Sequence, residues 1–140
     1  MNVFQGTGNL GSDPEKKMVN VQGEERPVVE FRVFFERSVP DGAGGFKESG
    51  GFWRTVSVWK EGLGDRVLTH FKSGTKVFVQ GQEVASQWKD EHSQDRESYG
   101  VVADYIAADL IGVAAITYQA RGAASQSASQ LAPDNAAQAL

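Results

Sequence analysis

The chain has 140 residues, a formal net charge of −4 and no cysteine. That length can bury one hydrophobic core without staples, and the missing thiols exclude disulfides, thiolate zinc sites, iron–sulfur clusters and a cysteine nucleophile. Residues 112–140 hold one Arg and one Asp, so residues 1–111 carry 13 basic against 17 acidic groups; bulk charge does not argue for nucleic-acid binding, which would have to rest on a local basic stripe.

The N-terminus, MNVFQGTG, has neither a basic segment nor a long apolar run, so it does not read as a signal peptide. No window approaches the length of a membrane span. Within residues 2–11, Gly6, Gly8 and Gly11 have the dinucleotide-binding spacing. That motif needs a full apolar strand before it and a helix behind it. Here SDPEKK leads into another extended run, so a sharply bent first strand is the better reading. After a turn-rich connection over Val19–Arg26, PVVEFRVFFER (Pro27–Arg37) reads as a second strand. Val29, Phe31, Val33 and Phe35 alternate towards a core, leaving Glu30, Arg32, Phe34 and Glu36 on the other face. Val39–Gly51, with one Pro and five Gly, reads as a loop.

The next stretch, FWRTVSVWK (Phe52–Lys60), is the most informative. Sorted by alternation, Phe52, Arg54, Val56 and Val58 take one face, and Trp53, Thr55, Ser57 and Trp59 the other. An ordinary half-buried strand turns aromatics inward and small polar groups outward. Here the polar face carries two of the chain's three tryptophans. A polar surface set with flat rings is what stacking of unpaired bases requires; packing under a loop or against another subunit is the competing reading.

Glu61–Gly74 follows as a short amphipathic helix, with Leu63, Val67 and Phe71 at i, i+4 and i+8. His70 has no second His, Cys or paired carboxylate at metal-site spacing, so no metal or cofactor is expected. Thr75–Ser86 reads as a strand with Val77 and Val79 inward, Lys76, Phe78 and Gln80 outward, and a bulge at Gly81. Gln87–Glu97 reads as a charged loop carrying Trp88, Lys89 and Arg96. Its Asp90, Glu91, His92 and Asp95 suggest solvated loop charges rather than a metal or acid–base site. Ser98–Leu110 is the last strand. From Gly112 the texture changes to Ala, Gln and Ser, the pattern of a disordered tail. The expected division is therefore a domain over residues 1–111 and a tail over 112–140.

Five short strands with one helix after the third match an all-β, five-stranded Greek-key barrel, the OB-fold, with its helix between strands 3 and 4. That fold binds oligonucleotides on its strand 2–3 face and with its 1–2 and 4–5 loops. The aromatics fall there: Phe34 on strand 2, Trp53 and Trp59 on strand 3, Trp88 between strands 4 and 5. Arg32, Lys60, Lys76, Lys89 and Arg96 are the expected phosphate contacts. Arg54 is the weakest candidate cation, because its strand phase points away from the tryptophans. No nucleophile–base pair and no phosphate-binding loop is present, so an enzyme is not expected.

The sequence also resembles the bacterial-type single-stranded DNA-binding proteins over residues 2–111. The resemblance rests on GNLGSDPE (Gly8–Glu15), the Phe52–Trp59 strand running into a helix, KSGTKVFVQGQ (Lys72–Gln82), and the segment from Trp88 to Arg96. It implies an OB-fold that binds single-stranded DNA without sequence preference in replication, recombination or repair. It also implies a homo-oligomer, usually a tetramer with a dimer as the alternative, in the bacterial cytoplasm or nucleoid. Trp53, Trp59, Trp88 and Phe78 fall on aromatic positions of that family. The chain departs from it at Val39, where an aromatic is usual. It departs at Glu83, Val84, Ser86 and Gln87, where more basic residues are usual, and at QGTG (Gln5–Gly8) in the strand that often pairs subunits. It ends PDNAAQAL, without the family's acidic tip for docking replication or repair proteins. The alternative is an OB-fold accessory protein of replication or conjugation that acts mainly through protein contacts.

Overall fold

The computed structural model describes residues 1–120. Its elements run β1 (Phe4–Leu10), β2 (Glu15–Val21), β3 (Glu24–Pro40), β4 (Phe46–Val58), α1 (Glu61–His70), β5 (Lys76–Lys89), β6 (Asp95–Ala108) and a final 3₁₀ turn (Leu110–Gly112). Neighbouring strands follow the order β1-β5-β6-β4-β3-β2, and β1 also pairs with β3. That last pairing closes β1, β3, β4, β6 and β5 into a ring. The closed five-stranded ring is the OB-fold, with its helix between the third and fourth ring strands. A sixth strand, β2, lies outside the ring on the free edge of β3.

Alternation dictates what fills the barrel. Val29, Phe31, Val33 and Phe35 of β3, Val56 and Val58 of β4, and Val77 and Val79 of β5 are all buried, as expected from their period-two spacing. On β6 the inward phase changes partway. Gly81 pairs with Ala103 but Gln80 pairs with Tyr105, which leaves Asp104 as an extra residue. The inward set is therefore Val101 and Ala103 before this bulge and Ile106 after it. The helix adds Val67 to the core, with Leu63, Leu68 and Phe71 packed against it.

Four sequence expectations need correction. Lys16–Val21, part of which was read as turn-rich connection, belongs to β2, a charged edge strand that pairs Glu15–Val21 with Glu24–Glu30. Residues 39–51 are mostly hairpin: Ser38–Pro40 pairs with Phe46–Glu48. Only the turn itself is irregular, and there Asp41 accepts from the backbone N–H of Ala43 (2.7 Å) and Gly45 (3.1 Å). Residues 87–97 are likewise two paired strands as far as Lys89 and Asp95. The helix ends at His70, and Phe71 donates its backbone N–H to the Val67 carbonyl, rather than continuing to Gly74. Both hairpins extend beyond the core, so their polar residues are wet on both faces and give no period-two signal. The expected tail begins within the described residues, where 115–120 carry no regular structure; residues 121–140 lie outside them. Among the described residues, no helix is long and apolar enough to cross a membrane.

Candidate nucleic-acid interface

The outer face of β3 and β4 collects the first group of candidate residues. Register sets Phe34 opposite Trp53 and Arg32 opposite Thr55. Cross-strand partners share a face, so an aromatic pair forms: the Phe34 and Trp53 ring centroids are 5.3 Å apart at 58°. The Arg32 guanidinium carbon sits 5.4 Å from the Trp53 ring centroid, within cation–π range. Trp53 nevertheless keeps 46% of its surface exposed. A ring braced by its neighbours and still this exposed has the geometry that base stacking requires.

Two glycines make the seats for these rings. A Cβ on Gly11 would lie 2.6 Å from Cη2 of Trp53, and one on Gly51 would lie 2.7 Å from Cζ of Phe34. The first seat is fixed by main-chain bonding. Gly11 donates its N–H to the Arg32 carbonyl at 2.8 Å, and the Arg32 N–H donates to Ser12 Oγ at 3.2 Å. The turn after β1 is thereby held against the middle of β3, beneath Trp53. Sequence reasoning assigned these glycines only to a bend and a loop. The signal that could have found them is a glycine facing a large ring across a strand pair.

The face continues onto β5 through β1. Asn9 pairs with Phe34 on one side and Lys76 on the other, and Thr7 pairs with Phe78. Phe34, Lys76 and the half-buried Phe78 thus lie on one outer surface. The remaining aromatic candidate, Trp88, is 50% exposed on the β5–β6 hairpin and pairs in register with Arg96. Asp90 organises the tip of that hairpin. One of its oxygens accepts from the backbone N–H of His92 (2.8 Å) and Gln94 (2.9 Å), and the other from Arg96 Nε at 2.8 Å. These bonds, led by that from the Gln94 N–H, hold the Asp90 carboxyl below its ordinary value of 3.8. Lys89 bridges to Asp95 at 2.8 Å.

Trp59 and Lys60 are elsewhere. Trp59 shares the strand phase of Trp53 but follows it by six residues, ~20 Å along an extended chain. It is half-buried and lines a narrow crevice with Pro27, Val28, Gly64 and Asp65, between β3 and α1. Lys60 donates to the Asp104 carbonyl at 3.0 Å. Arg54 points to the opposite side from Trp53. It stacks 4.5 Å from the Phe52 centroid and 5.5 Å from that of Tyr99, and bridges to Glu83 at 3.0 Å.

Carboxylates neutralise much of the positive charge on the Trp53 face. Lys76 bridges to Glu36 at 3.4 Å and Lys17 to Glu30 at 3.0 Å. The bond and charge of Glu30 raise the Lys17 ammonium above its ordinary 10.5. These acids were assigned to the outer face by alternation, but their pairing was not legible from it.

The family model for the single-strand binding protein family matches residues 1–109. The chain belongs to this family. Among curated relatives, it is 33% identical to the single-stranded DNA-binding protein of Rhizobium meliloti (strain 1021) over 95 residues, 68% of this chain and 53% of that protein. The chain thus spans about half the length of that relative. It is 30% identical over 112 residues to the mitochondrial single-stranded DNA-binding protein of Danio rerio, covering 76% of this chain and 74% of that one. Two solved structures share the fold. One is the small single-stranded DNA-binding protein of Streptomyces coelicolor, with a TM-score of 0.63 and 23% identity over 79% of this chain and 98% of that one. The other is a Plasmodium falciparum family protein in complex with single-stranded DNA, with a TM-score of 0.62 and 18% identity over 77% of this chain and 94% of that one.

Proposed function

We propose that this family member binds single-stranded DNA without sequence preference and protects it during replication, recombination or repair. The observation that carries the reading is the exposed Trp53 ring, backed by Phe34 and Gly11 and flanked by Arg32. Every base has a flat face, so stacking on Trp53, Phe34, Phe78 and Trp88 tolerates any sequence, at about 1–3 kcal/mol per base. Arg32, Lys76, Lys89 and Arg96 meet phosphates and release counterions, which makes binding salt-dependent. Duplex DNA hides its base faces and is the poorer ligand. The mechanism requires no cofactor and no catalytic group, and the bacterial cytoplasm or nucleoid is the location that goes with this reading.

The working unit is a homo-oligomer, a tetramer or else a dimer. A second surface supports this: Phe52 and Tyr99 are exposed on the side away from Trp53. The first residues of β1 pair with β5 on one edge, whereas pairing with β3 begins only at Gly8. That leaves an open edge for a second chain. The same surface favours a second reading, an accessory protein that works through protein contacts. Titrating labelled oligo(dT) and a duplex of equal length at two salt concentrations, followed by anisotropy, separates the two. Tight, salt-sensitive binding of the single strand supports the first; no binding even at low salt would sink it.

A further inference from the structure

The stacking face carries its own substitutes for a nucleic-acid backbone. Along β3 the outward residues read Glu30, Arg32, Phe34, Glu36, so an acid stands at each end of the base-and-aromatic pair. Neither acid is free. Glu36 holds Lys76, with both side chains about one-third exposed (31% and 29%). Glu30 holds Lys17 through one oxygen and accepts from Ser57 Oγ at 3.3 Å through the other. A carboxylate and a phosphate diester are both monoanions that offer oxygens to an ammonium. A lysine engaged by one is not freely available to the other.

We propose that Glu36 and Glu30 are intramolecular competitors for the phosphate backbone. They occupy Lys76 and Lys17 in the free protein, and bound DNA has to exchange with them. Affinity is thereby set below what the cations of this face would otherwise give. This rests on the single-strand binding reading above. It accounts for an interface built on an acidic domain: Arg32, stacked on Trp53, bridges to no carboxylate among the described residues, whereas Lys17 and Lys76 on either side of it are engaged.

The test measures oligo(dT) affinity for the full chain and four variants. Glu36→Gln keeps shape but releases Lys76. It should bind roughly three- to fivefold tighter, the size of a partly exposed ion pair. Its salt dependence should steepen by about 0.7 in log–log slope as one more phosphate is neutralised. Glu30→Gln should gain similarly, with Ser57 still able to bond the amide, and serves if the first variant is unstable. Glu25→Gln makes the same change in net charge at the exposed start of β3, and should leave affinity within twofold. The double variant Glu36→Gln/Lys76→Met should match the wild type, because it removes both members of a self-cancelling pair. The inference is overturned if Glu36→Gln and Glu30→Gln bind no tighter, if Glu25→Gln gains as much, or if the double variant binds several-fold weaker. That last result would mean Lys76 already holds phosphate beside Glu36. A wild type and a Glu36→Gln variant that both fail to bind would overturn the binding reading and the inference together.

Discussion

Trp53 on β4 and Trp59 just past its end share one phase, and the chain uses them differently. Trp53 lies against Gly11 and beside Phe34, within cation–π range of Arg32, with 46% of its surface open. Trp59 follows the last residue of β4 and enters a crevice against Pro27, Val28 and the buried Gly64 of the helix. Alternation assigns a side chain to a face, but what covers that face changes along the strand. At the middle of the ring it meets solvent; at its end it meets α1.

The largest expected effect concerns Trp59. Trp59→Ala should cost about 2–3 kcal/mol of folding stability, less than the ~3–5 kcal/mol of a fully buried ring. Denaturant unfolding reads this, and oligo(dT) affinity at a temperature where the variant is folded should barely move. Trp53→Ala should do the reverse, losing about 2 kcal/mol of binding, within the range for one stacked base, with little change in melting temperature. Gly11→Ala should sharpen the contrast. The three atoms nearest its methyl group all belong to the Trp53 ring, so displacing that ring should weaken binding by roughly 1 kcal/mol, half or less of the loss from removing it. A Gly11→Ala variant that binds normally would show that the seat does not position the ring.

The smallest effect is a pH response at the other end of the face. Asp90 has a folded-state value below its ordinary 3.8. Its bonds to the hairpin tip therefore contribute stability above the ordinary value and lose it as pH falls through the lower, folded one. The Gln94 amide resonance should titrate with a midpoint below 3.8. In Asp90→Asn that titration should vanish, with Trp53 unaffected.

The five ring strands, and the inward residues of β3, β4 and β5, were legible because burial of one face writes a period of two into the sequence. Phe34 and Trp53 were legible as aromatics on the wrong face. The two hairpin extensions were not, because a ribbon wet on both sides needs no apolar alternation. Trp59 shares the phase of Trp53, but the helix that lines the crevice with it comes from the next segment. The glycine seats and the Glu36–Lys76 pair depend on which strands become neighbours, and no single segment encodes that.

On this reading the Trp53 ring, not the Trp59 ring, stacks on bases. Tryptophan fluorescence during an oligo(dT) titration tests it most directly, comparing the wild type with Trp53→Phe and Trp59→Phe. Strong quenching should largely survive Trp59→Phe and drop sharply in Trp53→Phe, with Trp88 supplying the remainder. Quenching that survives Trp53→Phe but disappears with Trp59→Phe would contradict that reading.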